Sequence, residues 1–199
     1  MQGPLPSEYD DELWSLVPEE PGPPPGHIVE FVRSLGRRDG AALDLGCGDG
    51  RLTLELRGRH IVGADVSRVA LERARRRLEE RGVELVELTP GAVMPFDDGA
   101  FDLVLVAETI EHVVDVPTLL KEAHRVTAPG GEIAITTPAH ARRTGLSMLV
   151  RGFERVFDPL TPHVRFFARS SLREVLAEAG FKDASIARRK HTLLARATR

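Results

Sequence analysis

Apolar residues recur along the chain with two spacings, and the two alternate. Ile28, Phe31, Val32 and Leu35 follow i, i+3, i+4, i+7 and run into Gly36, which predicts a helix and its stop. Ala41–Leu45 is a short unbroken apolar run interrupted by a single acid, the pattern of a buried strand. A short helix is expected after the glycines that follow it. His60–Asp65 predicts a second strand, and Ser67 caps a helix rich in Arg and Glu that ends at Gly82. Val83–Leu88 and Phe101–Ala107 predict the third and fourth strands. Pro117 suits the first turn of a helix reaching about Thr127, and Gly131–Thr136 predicts the fifth strand.

Beyond that point the pattern changes. Leu146, Leu149, Val150, Phe153 and Phe157 share one helical face, with Arg143, Arg151 and Arg155 on the other and Asp158-Pro159 as a stop. Ser171 and Glu174 have capping-box spacing, followed by a Leu172, Val175, Leu176, Ala179 stripe before Gly180. Strands over Lys182–Arg188 and His191–Ala197, joined by a tight turn at Arg189-Lys190, must be antiparallel neighbours. Helices alternating with strands predict an α/β fold: a doubly wound, mostly parallel seven-stranded sheet with an antiparallel C-terminal strand. Residues 1–25, rich in Pro, Glu and Asp, read as a flexible arm with one helical turn around Glu12–Val17. Residues 26–199 read as one domain, within which 141–165 forms a lid or acceptor-site insertion.

Composition narrows the function classes. With 199 residues, 42 % hydrophobic and 29 % charged, the chain suits one globular domain. A net charge of −3 gives no electrostatic reason to bind nucleic acid. Cys47 is the single cysteine, so no disulfide framework can form within the chain, which fits a cytoplasmic location. The acidic N-terminus has no signal-peptide core, and no run approaches the roughly 18 apolar residues of a membrane span. The apolar and arginine faces of 142–157 leave three readings open: ordinary packing, a lid, or peripheral contact with a membrane surface.

The stretch LDLGCGDG, Leu43–Gly50, carries the chemistry. Three glycines after a strand ending in an acid suggest a bend built around a ligand. Asp65, about 20 residues on at the end of the next strand, suits the two hydroxyls of a ribose. A dinucleotide fingerprint is G-x-G-x-x-G, but Arg51 stands in place of its third glycine. Asp44 and Asp49 would repel a diphosphate and welcome a cation, so an adenosine bearing a positive tail is the better match. An NAD-type oxidoreductase is the rival on this point.

The chain here resembles the class I S-adenosylmethionine-dependent methyltransferases, whose sheet is Rossmann-like. The matching segments are LDLGCGDG, VGADVS, MPFDDGAFDLVLVAETIEHV, HRVTAPGGEIAITTP and HVRFFARSSLREVLAEAGF, in that order. The resemblance implies S-adenosylmethionine as cofactor, with Asp44, Gly46, Cys47 and Gly48 lining the methionine end. It places Asp65 on the ribose, Val66 beside the adenine and Glu108 facing the pocket. Pro90 or Gly91 stands where the family carries an acid for the adenine amine, leaving backbone near Ala92 and Val93 for that contact. Cys47 has no partner histidine nearby, which argues against nucleophilic cysteine chemistry, and the absence of asparagine argues against Asn-Pro-Pro-Tyr-type amine methylation.

The acceptor should enter beside the fourth and fifth strands. Glu108, His112 and the distant His163 are candidates for catalytic acid–base work there, with His140 nearby. Glu108, Glu111 and His112 could also hold a divalent cation such as Mg²⁺; metal-free pocket residues and a purely structural helix start are the alternatives. The cluster is similar to sites in ubiquinone-biosynthesis O-methyltransferases and in small-RNA 3′-terminal 2′-O-methyltransferases. The expectation is methyl transfer to a small-molecule acceptor, more readily at a hydroxyl than at nitrogen or carbon. A small-RNA 2′-O-methyltransferase and a cofactor-binding module without turnover are the alternatives. The sequence leaves the acceptor's identity and the oligomeric state open.

Overall fold

The structure is a computed structural model describing residues 6–36, 39–139 and 163–199. Its elements are α1 (Pro6–Leu16), α2 (Gly26–Ser34), β1 (Ala41–Leu45), β2 (His60–Asp65), α3 (Arg68–Leu78), β3 (Glu84–Glu87), β4 (Phe101–Ala107), α4 (Val116–Val126), β5 (Thr127–Pro138), α5 (Arg169–Glu178), β6 (Lys182–Arg189) and β7 (Thr192–Thr198). The strands form one seven-stranded sheet in the order β3-β2-β1-β4-β5-β7-β6. The first five are parallel, and β7 runs antiparallel between β5 and β6. The expected Rossmann-like architecture and the reversed C-terminal strand are both present.

Side-chain alternation along the strands builds two cores. Leu103, Leu105 and Ala107 of β4, with Ala42 and Ala134, pack under Ile28, Val32 and Leu35 at α2. Val104 and Val106 point the other way, with Leu43, Leu45, Val62, Ile133 and Ile135, onto Leu120 and Ala123 of α4 and Leu172 and Leu176 of α5. Each fully buried Leu, Ile or Val stabilises by about 1.5–3 kcal/mol. The sheet is therefore covered on both faces, and its C-terminal strand ends are left to carry the loops. No helix among the described residues is long and apolar enough to cross a membrane.

Three local expectations change. The N-terminal arm holds an eleven-residue helix where one turn was expected. It forms because α3 supplies partners: Ser67 Oγ donates to Asp11 Oδ1 at 2.7 Å, and Arg73 donates to the carbonyls of Val17 and Pro18. Ser171 is not the N-cap of α5. The helix starts two residues earlier, and Ser171 Oγ accepts from the Ala168 N–H at 3.0 Å. The short helix after the glycines is a single 3-10 turn at Thr53–Glu55. The predicted 142–157 helix, the core of the expected 141–165 insertion, and His140 lie outside the described residues.

Candidate active site

Leu45 ends β1 beside Ala64 of β2, and the chain turns there through Gly46, Gly48 and Gly50 at φ of +77°, +54° and +80°. These left-handed angles cost a side chain roughly 1–2 kcal/mol each, which is why glycines stand here. The N–H groups of Gly46 and Cys47 both donate to the Ala64 carbonyl, at 2.8 and 3.1 Å, so the bend is tied to β2. The Gly48 N–H donates to Asp65 Oδ2 at 2.8 Å, and the Ser67 N–H to Asp65 Oδ1 at 2.9 Å. Asp65, the acid expected at a ribose, is thereby fixed against the glycine bend.

Burial governs the charges. Asp44 lies between Gly63 of β2 and Leu105 of β4 and is almost wholly inaccessible. Burial pushes its carboxyl up to about 7, with the charge of Asp65 adding to the rise against a 2.6 Å hydrogen bond from Thr53 Oγ1. Asp65 is raised too, chiefly by burial. Asp49 behaves differently from the sequence-based expectation. Arg51 and Arg77 donate to its two carboxylate oxygens at 2.9 and 3.2 Å, so its charge is spent inside the protein and does not face a ligand. Cys47 is buried against Gly63, and burial drives its thiol well above the ordinary range, which leaves it no nucleophilic character.

A second group of residues stands at the end of β4. Glu108 is a non-glycine residue at φ +51°, a strained backbone of the kind that collects at functional sites. Its N–H donates to the Thr136 carbonyl, and Thr136 Oγ1 donates back to Glu108 Oε1 at 2.8 Å. Thr109 Oγ1 shares its proton between the Ala107 carbonyl at 3.0 Å and the Gly46 carbonyl at 3.2 Å, which brings this loop against the glycine bend. Glu111 is buried; Thr137 Oγ1 donates to its Oε2, while its Oε1 is buried with no hydrogen-bond partner among the described residues. Burial, and then the charge of Glu108, raise its carboxyl to about 8.

The backbone carbonyl of Glu111 accepts the N–H groups of Val164 and Arg165, at 2.9 and 3.0 Å, and this brings in His163. The rings of His112 and His163 meet edge to face with centroids 4.8 Å apart. Burial, then the neighbouring His112, lower the His163 pKa. Donor atoms of Glu111, His112 and His163 all lie within 4.8 Å of one another. The expected trio of Glu108, Glu111 and His112 thus gains His163, while the Glu108 carboxylate is engaged by Thr136. Of the residues expected near an adenine, the Ala92 N–H donates to the Thr89 carbonyl and Val93 is exposed, with Val66 half-buried beyond Asp65. His124 packs on Phe181, and His60 pairs with Glu84, in keeping with structural roles.

Trp14 is a neighbour of the bend that the sequence pattern does not reveal. A Cβ on Gly48 would lie 2.6 Å from its Cζ2, so α1 reaches across to the bend. Nothing in the local pattern of α1 could show this, because its partners are 34 and more residues away.

Comparison with known proteins agrees with this geometry. A family described as a methyltransferase domain matches residues 43–135, the span from the glycine bend to β5. The demethylmenaquinone methyltransferase of Thermus thermophilus is 42 % identical over 98 residues, 47 % of this chain and 44 % of that protein. That of Geobacillus stearothermophilus is 30 % identical over 169 residues, 73 % of this chain and 72 % of that one. The chain thus spans less than half of the Thermus relative. Among solved structures, an S-adenosylmethionine-dependent methyltransferase from Thermotoga maritima superposes with a TM-score of 0.64 at 23 % identity, over 85 % of this chain and 86 % of that one, which shows the shared fold. With the bend, the strand order and the conserved span of sequence all in agreement, the chain belongs to the class I S-adenosylmethionine-dependent methyltransferase family.

Proposed function

We propose that the protein transfers the methyl group of S-adenosylmethionine to a hydroxyl of a small-molecule acceptor. The observation that carries this reading is the Thr109 link. It brings the loop after β4, which carries Glu108, Glu111 and His112, against the Gly46 bend, whose Gly48 N–H donates to Asp65. The relatives named as demethylmenaquinone methyltransferases favour a quinone-type acceptor without favouring oxygen, and the oxygen preference draws on a relative named as a ubiquinone biosynthesis O-methyltransferase.

In the transfer, a lone pair of the acceptor oxygen attacks the methyl carbon. The carbon–sulfur bond breaks and its electrons return to sulfur, which becomes a neutral thioether. The hydroxyl proton must leave to a nearby base, and Glu108, His112 and His163 are the groups at hand. Alignment supplies on the order of 7–11 kcal/mol in favourable cases, and a base adds roughly 10²–10⁴-fold.

The residues also fit a divalent cation. Glu111 offers a buried oxygen without a partner among the described residues, and two imidazoles stand within reach of it. One carboxylate and two imidazoles suit a borderline ion such as Mn²⁺ or Zn²⁺ better than Mg²⁺, which prefers oxygen donors. Bound at Glu111, His112 and His163, such an ion would lower the pKa of an acceptor hydroxyl.

Calorimetry of the full chain with S-adenosylhomocysteine, followed by mass spectrometry of hydroxylated quinones incubated with S-adenosylmethionine, tests the reading. Binding and an O-methyl product are expected. A folded protein without affinity overturns it; binding with no product on any acceptor favours a module without turnover; methylation of RNA 3′ ends alone favours the small-RNA alternative.

A further inference from the structure

The helix α1 lies outside the family match and outside every role assigned above, yet it is pinned to the ligand-facing edge of the sheet. Asp11 accepts from Ser67 Oγ at 2.7 Å and from the Val69 N–H at 3.2 Å, so it joins Ser67 in capping α3. Downstream of α1, Arg73 holds the carbonyls of Val17 and Pro18, and Arg51 holds that of Gly22 at 2.7 Å. These contacts fix the helix at its middle and beyond its end, and they decide where the side chains between them fall. Trp14 falls on Gly48, with Cζ2 and Cη2 filling the space that a Cβ would need, at 2.6 and 2.8 Å. Asp10 falls close enough to Asp65 for the two charges to repel.

The indole is only half-buried there. Part of a large apolar surface is left open at the glycine that the cofactor reading places against its ligand. A tethered helix cannot swing freely aside, so the ring stands as a side of the site. We propose that α1 is a wall of the cofactor site and that Trp14 touches the bound ligand. This rests on the cofactor reading of the bend. It adds a binding residue from a segment that a search restricted to the glycine motif would discard as a tail. An indole face also suits a sulfonium better than the neutral thioether left after transfer, since cation–π attraction is strongest for tryptophan.

Trp14 is the single tryptophan of the chain, which makes the test direct. Its emission is followed while S-adenosylhomocysteine and S-adenosylmethionine are titrated into the full chain, with calorimetry run in parallel. The expected result is a change in emission that saturates with the calorimetric affinity. Trp14→Ala, checked for native circular dichroism, should weaken binding by roughly tenfold, as the loss of one well-packed aromatic contact does, while Trp14→Phe recovers most of it. Heat of binding with unchanged tryptophan emission overturns the proposal and leaves the cofactor reading intact. Tighter binding by Trp14→Ala also overturns it, because the indole would then be a plug. No heat from the folded wild type sinks the cofactor reading and this proposal together. The emission arm uses the unmutated protein, so a poorly folding variant does not remove the test.

Discussion

Asp44→Asn isolates the charge behind the glycine bend. Asparagine keeps an oxygen to accept from Thr53 Oγ1 but cannot ionise. Burial pushes the Asp44 carboxyl up to about 7 against an ordinary 3.8, because it disfavours the charged form. The sign follows from linkage. The folded state holds its proton more tightly than the unfolded chain, so this stabilising contribution is full below pH 3.8 and lost as pH rises through about 7. Three pKa units correspond to roughly 4 kcal/mol at 1.36 kcal/mol each. For a chain of this size that is on the order of 10 °C in melting temperature. Between pH 5 and pH 8 only the two units from 5 to 7 are lost, so the wild type should lose roughly 2–3 kcal/mol more stability than Asp44→Asn, on the order of 5–10 °C. A cationic cofactor that needs the ionised form should show the opposite trend. Its apparent Kd should fall about tenfold between pH 6 and pH 8, as a group titrating near 7 requires. The ligand's own amino group titrates near 8, so the ratio of wild-type to Asp44→Asn affinity at each pH is the quantity to follow. Melting curves and calorimetry measure both trends. A ratio that stays flat across this range would refute the claim that Asp44 recognises the ligand through its charge.

Two other substitutions probe the scaffold of the site. Gly46→Ala must adopt φ +77° and place a methyl into the Thr109 side chain, so it should lower stability by at least 1–2 kcal/mol and disturb the link to β4; thermal melting and cofactor affinity check this. Arg125 donates to the carbonyls of Phe96 and Met94 and pairs with Asp98 and Glu122, holding the segment between β3 and β4 onto α4. Arg125→Met should cost roughly 2–3 kcal/mol and speed amide exchange over residues 94–99, as removal of charge-assisted bonds to backbone predicts.

The parts of the fold that were legible in the sequence are those decided within a few residues. The five parallel strands show as short apolar runs, Ser67 as a cap, and the bend as glycines whose φ values no other residue takes cheaply. The parts that were not legible depend on partners far along the chain. Asp49 looked like a charge facing the ligand because Arg77, 28 residues later, could not be seen to neutralise it. His163 was a candidate for the β4 group by residue type alone, and what holds it there, two backbone N–H groups of its own segment on the Glu111 carbonyl, could not be read from the pattern. The polar, weakly patterned α1 read as a tail because its order comes from α3 and from one indole seated on a glycine. Ser171 had the spacing of a cap and took the reciprocal position, since the chain was already turning at Ala168.

The reversed strand β7 has a consequence for synthesis. It is inserted between β5 and β6, so the outermost strand on that side is made before the one that attaches it. Until residues 192–198 emerge from the ribosome, β5 offers a row of unpaired amides and carbonyls to any neighbouring chain, and β6 has nothing to dock upon. A nascent polypeptide halted just short of residue 192 would hold the other six strands and still lack the piece that closes this hydrogen-bonding surface.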